Sequence, residues 1–149
     1  MSLAKAFAPG SLAAGVSVAN MDAAIRASGE LLVASGRVTP EYVDQMVAAV
    51  EEFGAYIVIA PLIALAHARP SESVLESGLS LAVLAEPVLF GEGKPVQLVF
   101  GLAAKDHDGH IEVLAALAER LTDQDFVNTL LNASTIDQIA HLLSGESGE

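Results

Sequence analysis

The chain has 149 residues, the size of one domain and enough to bury a core without disulfide or metal staples. Hydrophobic residues make up 52 % and charged residues 17 %, yet 19 acidic and 7 basic side chains leave a formal charge of −12. That charge, an aromatic fraction of 5 % and the lack of a basic stripe argue against nucleic acid and anionic lipid as partners. A partner with a positive docking face is expected instead. There is no cysteine, which excludes a thiol nucleophile, a disulfide framework and thiolate metal sites, and leaves a cytoplasmic location open.

The two long uncharged stretches, 6–21 and 53–68, are broken by Pro9-Gly10 and by Pro61 and His67. A spanning helix needs about 20 consecutive apolar residues, so neither is expected to span. With Lys5 alone ahead of Pro9, the start of the chain also makes a poor signal peptide.

In chain order, an irregular opening leads to a short strand over Gly15–Ala19, and Asn20 N-caps a helix that runs to about Ser35 and ends at Gly36. Thr39-Pro40-Glu41 predicts the next helix start: a capping hydroxyl, proline at the first helical position and an acid facing the positive end of the dipole. Tyr42, Val43, Met46, Val47 and Val50 fall at helical spacing along it, and Gly54 ends it. Tyr56–Ile59 and Ile63–Leu65 read as short buried strands around a turn at Pro61. Leu79–Leu84 and Val96–Leu102 read as interior strands around the glycine turn Gly91-Glu92-Gly93. A loop at 105–109 then leads into a helix from about His110 to Leu121 with an apolar stripe of Ile111, Leu114, Leu117, Ala118 and Leu121. Capping boxes at Thr122/Asp125 and Ser134/Asp137 announce two more helices, and residues 144–149 form a polar tail. The expected fold class is α/β: residues 1–149 as one compact domain with a mixed sheet flanked by helices on both faces.

Familiar catalytic signatures are missing. Gly91-Glu92-Gly93-Lys94 has the wrong spacing for a phosphate loop and a proline after its lysine. Gly145-Glu146-Ser147-Gly148 lies in the tail, where no nucleophile elbow forms. Attention falls on the four histidines. His141 lies between Ala140 and Leu142 in the last helix and reads as structural. His67 follows a buried strand and precedes Ala68-Arg69, at a strand-to-loop junction where functional side chains are presented. His107 and His110 lie in a loop that also follows a strand, and the two loops face one another if those strands are neighbours. A neutral imidazole offers a lone pair without a base, and phosphoryl transfer needs chiefly positioning and charge stabilisation. A second histidine, a guanidinium or helix N-terminal amides would supply that stabilisation. On spacing alone two other readings stay open: His67 as a satisfied boundary residue, and His107 with Asp106, Asp108 and His110 as a metal site.

The segment Tyr56-Ile57-Val58-Ile59-Ala60-Pro61-Leu62-Ile63-Ala64-Leu65-Ala66-His67-Ala68-Arg69-Pro70 resembles the phospho-acceptor motif of the mannitol/fructose-type IIA family of sugar phosphotransferase systems, closest to the ascorbate-type branch. Gly36 with Glu41-Tyr42-Val43-Asp44-Gln45-Met46, then Gly78-Leu79-Ser80-Leu81, then Val99-Phe100-Gly101-Leu102-Ala103-Ala104 leading to His110, continue the likeness in order over roughly residues 12 to 143. The resemblance implies a mannitol-type IIA fold and a phosphoryl carrier with His67 as the phosphorylated residue, His110 as the supporting one and Arg69 as a phosphate or partner contact. It implies phospho-HPr as donor, a IIB domain as acceptor and a membrane IIC component that binds the sugar, with no cofactor and no metal. Oligomeric state, a homodimer included, stays open. Leu62 stands where the family has glycine and Ala66 where it has proline. Since leucine is restricted to φ < 0 at low cost, the turn before the motif is expected to differ from the family's. Those two departures motivate the alternative of a regulatory IIA-like binding module.

Overall fold

The computed structural model describes residues 3–54, 56–91, 93–106 and 111–144. Among them lies a five-stranded mixed sheet in the order β1-β4-β5-β3-β2, built from β1 (Leu12–Val16), β2 (Val58–Ala60), β3 (Leu62–His67), β4 (Gly78–Phe90) and β5 (Lys94–Ala103). Helices α2 (Met21–Ala34) and α3 (Pro40–Phe53) cover one face, and α1 (Leu3–Ala6), α4 (Ile111–Leu121), α5 (Gln124–Leu131) and α6 (Ile136–Ser144) cover the other. No helix among the described residues is long and apolar enough to cross a membrane.

The three central strands are apolar on both sides because both sides are roofed. Side-chain alternation sends Ala64, Ala66, Ala82, Leu84, Val99 and Ala103 towards α2 and α3. Ile63, Leu79, Leu81, Val83, Leu98, Phe100 and Leu102 point into the α4–α6 layer. The α2/α3 side is lined with small residues, and α2 approaches closely there. At Gly101 a Cβ would stand 2.5 Å from Ser80 Oγ and 3.2 Å from the Ser28 carbonyl oxygen. Ser80 Oγ in turn donates to that carbonyl at 2.8 Å, so the buried hydroxyl is satisfied inside the seam.

Helix ends follow local chemistry with one-residue shifts from the expectations. Asn20 caps α2 by accepting from Ala23 N at 2.9 Å. Thr39 precedes α3 without any side-chain bond to its free amides, so Pro40 and Glu41 make that start. Asp123, not Thr122, caps α5, accepting from the amides of Asp125 and Phe126. At α6 the reciprocal box is Thr135 with Gln138 rather than Ser134 with Asp137. The first strand lies at Leu12–Val16, earlier than Gly15–Ala19. The stripe of α4 is turned: Val113 and Leu117 are buried, while Ile111 is exposed. The segment at 56–59 is buried only in part: Ile57 lies in the core, while Tyr56 before β2 and Ile59 within this edge strand are about half exposed.

The largest correction concerns Leu62. Its φ is 71°, the left-handed conformation that glycine adopts freely, so leucine is held in a region it does not occupy at low cost. The reason is register. Both pairings of β3, with β2 and with β5, slip next to Leu62: Leu62 pairs with Val96 and Ile63 with Leu98, skipping Gln97. A bulge of this kind wants one left-handed residue, and the buried strand beyond it outweighs a local cost of about 1 kcal/mol. In urea unfolding Leu62→Gly is expected to be more stable than Leu62→Ala by about 1 kcal/mol, the reverse of the usual strand preference. Equal midpoints, or alanine ahead, would mean that Leu62 carries no such strain.

Candidate functional site

The site grows out of the parallel pair β3–β5. His67 is the last residue of β3 and lies opposite Leu102 in β5, so the loops that leave both strands emerge at the same edge of the sheet. The condition set by the sequence, that these two strands be neighbours, is met. His107 and His110 themselves lie outside the described residues, as does the 107–110 part of the proposed metal cluster. No group of three potential metal ligands occurs among the described residues.

His67 is half-buried, and its Nδ1 lies 2.9 Å from the carbonyl oxygen of Leu65, two residues back on the same strand face. A carbonyl only accepts, so Nδ1 carries the proton and the Nε2 lone pair is left for chemistry. The Tyr56 ring stands edge-to-face against the imidazole, with centroids 5.5 Å apart and planes at 81°. That wall restricts the ring from the edge-strand side. The alternation that places His67 with Ile63 and Leu65 turns its side chain towards the layer where α4 begins at Ile111.

Arg69 is exposed and lines an open groove of about 350 Å³ with Gln45, Ala48 and Glu52 of α3 and Ser71 of its own loop. It makes no ion pair or hydrogen bond among the described residues. Other arginines are engaged: Arg26 with Asp22 and Asp44, Arg37 with Glu76, and Arg120 over the Phe126 ring at 4.3 Å. In a chain of charge −12 this leaves, among the described residues, a guanidinium without an ion pair two residues from the histidine.

Two contributors escaped sequence reading. Tyr42 fits the apolar stripe of its helix and is fully buried, but its hydroxyl accepts from Ala68 N at 3.0 Å and lies 2.8 Å from the Leu102 carbonyl oxygen. Burial pushes its phenol up to about 12. Gln45, one turn further on, binds Ser71 and Ser73. The available signal was that a buried tyrosine hydroxyl requires a partner. Which partner it finds is set by a contact 26 or 60 residues away.

The model of the family described as phosphoenolpyruvate-dependent sugar phosphotransferase system, EIIA 2, matches residues 7–146. The chain belongs to that family. It is 40 % identical over 92 residues to the mannitol-specific cryptic phosphotransferase enzyme IIA component of Escherichia coli, a match covering 61 % of the chain and 63 % of that relative, somewhat under two thirds of its length. To the ascorbate-specific EIIA component of the same organism it is 33 % identical over 123 residues, 80 % of each. The solution structure of the E. coli cryptic IIA CmtB superposes with a TM-score of 0.87 at 32 % identity, covering 97 % of this chain and 99 % of that one. The IIA chain in a complex of E. coli enzyme IIA of the mannitol system with phosphorylated IIB superposes with a TM-score of 0.80 at 30 % identity, over 93 % and 96 % of the two chains. The mannitol-type IIA fold expected from the sequence is thus the fold of this phosphotransferase-system IIA domain.

The tautomer assignment is open to direct measurement. Long-range ¹H–¹⁵N spectra of the neutral imidazole should show His67 with a protonated Nδ1 and a pyridine-like Nε2. A protonated Nε2 would refute the Leu65 bond.

Proposed function

We infer that this IIA domain is a phosphoryl carrier that is phosphorylated on His67 Nε2 and passes the group to a IIB component. The observation that carries the reading is the Nδ1 bond to the Leu65 carbonyl, which fixes one tautomer and leaves Nε2 as the nucleophile. The Nε2 lone pair attacks phosphorus as the donor's phosphorus–nitrogen bond breaks, and no proton need leave the ring. The positive charge on the phosphorylated imidazole is shared with Nδ1–H, where the carbonyl stabilises it. In the second step an incoming thiolate forms the sulfur–phosphorus bond and Nε2 departs neutral. Both steps need alignment and charge compensation more than covalent help.

Arg69 is the nearby cation for the phosphoryl oxygens or for a partner. His110 is assigned a supporting role, for which the start of α4 at Ile111 on the face His67 points to is the structural argument. Phospho-HPr as donor, IIB as acceptor and a membrane IIC component as sugar binder follow from the family, and the phosphorylated IIB partner in the related complex supports the acceptor. The ascorbate-type motif and the ascorbate-specific relative favour an ascorbate or pentitol-type system, acting in the cytoplasm. Ala66 favours a second reading, a regulatory module with an impaired relay, since proline there would stiffen the strand end. Against it, Ala66 is fully buried and paired in register opposite Gly101.

Incubation with phosphoenolpyruvate, enzyme I and HPr should add one acid-labile phosphoryl group, seen by intact mass and absent from a folded His67→Ala. Labelling that persists in that variant would overturn the assignment, and no label on the wild type would favour the regulatory module. His110→Ala is expected to slow transfer by about a hundredfold without abolishing phosphorylation. An unchanged rate would remove His110 from the site.

A further inference from the structure

Strand β4 lies beyond β5 from β3, so the chain leaving His67 must cross the end of β5 before it turns into Gly78. Residues 68–77 form that arch, and Arg69 rides on it. Helix α3 holds the arch along one face. Gln45 donates from Nε2 to Ser73 Oγ at 3.1 Å and accepts from Ser71 Oγ at 3.1 Å, while Thr39 N donates to the Ser73 carbonyl at 2.8 Å. Tyr42, three residues before Gln45 and so on the same helix face, reaches further in.

Its hydroxyl oxygen is a junction. It accepts the Ala68 amide at 3.0 Å and has one proton to give, with the Leu102 carbonyl at 2.8 Å and the Ala68 carbonyl at 3.1 Å as takers. The shorter distance favours Leu102. Leu102 is the residue paired with His67 across the β3–β5 ladder, and Ala68 is the residue that follows His67. One buried oxygen thus ties the backbone immediately after the histidine to the backbone immediately beside it. A phenylalanine would fill the same core space and leave the amide and the carbonyl unmatched.

We propose that Tyr42, assisted by Gln45, is the positioning residue of His67: its hydroxyl fixes the strand end so that the imidazole keeps its bond to Leu65 and aims Nε2, and it anchors the arch that presents Arg69. The inference rests on the carrier reading for its kinetic consequence and on geometry alone for its effect on the ring. With its phenol raised to about 12 by burial, the hydroxyl remains a donor across the physiological range.

The test compares Tyr42→Phe with Val127→Ala, a core truncation in α5 that removes none of the hydrogen bonds around Ala68 and Leu102. Two quantities are read: the His67 tautomer ratio and titration by NMR, and the rate of phosphoryl uptake from phospho-HPr across donor concentrations. Tyr42→Phe is expected to lower the saturating rate about tenfold or more, with little change in the donor concentration for half-maximal rate, and to raise the Nε2-protonated fraction of His67. Val127→Ala should leave both readings at wild-type values. A Tyr42→Phe protein that behaves like Val127→Ala overturns the proposal and leaves the carrier reading standing. A wild type that takes up no phosphoryl group overturns the carrier reading, and the NMR comparison alone then decides whether Tyr42 positions the ring. If Tyr42→Phe does not fold, Gln45→Ala takes its place with the same two readings and about a threefold rate loss expected.

Discussion

Everything at this site depends on β3 and β5 running parallel and adjacent. Parallel neighbours deliver their C-terminal ends, and hence their outgoing loops, to one edge of a sheet. Here that edge receives His67 from one strand and the chain that leaves β5 after Ala103 from the other. The pairing is held by burial on both faces. Phe100, Leu98 and Ile63 lock into one helical layer, and Val99, Ala64 and Ala66 lie under the other. A slip of one residue would exchange those layers, so the position of His67 at the strand end is fixed by the core rather than by the loop.

The same constraint explains the behaviour of Leu62. Local sterics, taken alone, disfavour for leucine the conformation it adopts. The register of the six-residue strand that follows is determined by several buried side chains, each contributing on the order of 1 kcal/mol or more, and together they exceed the strain of one residue. The strain lies at the opposite end of β3 from His67.

Much of the architecture was legible in the residues because its signals were local. Asn20, Gly36, Pro40 and Gly54 each mark a helix end by their own side-chain or backbone chemistry, and each does so in the structure. Errors arose where two neighbours offer the same chemistry: Thr122 beside Asp123, and Ser134 beside Thr135, are competing caps that only the path of the preceding chain decides between. His67 stood out because a polar, titratable side chain ends an apolar strand. Tyr42 did not, because its ring satisfies the helical stripe, and the burden borne by its hydroxyl is visible only when Ala68 and Leu102 have been brought to it. The exposure of Tyr56 and Ile59 was hidden in the same way, since being an edge strand is a property of the sheet and not of the segment.

The edges of that sheet have a further consequence. A chain with mean hydropathy +0.50 and two strands of ten residues or more is rich in material for intermolecular pairing. Yet the long strands are interior, and the rims are made of the two shortest pieces. One rim, β2, has three residues, closed off by Pro61. The other, β1, has five and is kinked by Gly15 at φ 64°. Where β4 runs on past β1, Glu86 and Pro87 blunt the open edge, and the strong negative charge adds repulsion between copies. The ordering of strands that brings the C-terminal ends of β3 and β5 to one edge also places the two longest apolar strands in the middle of the sheet.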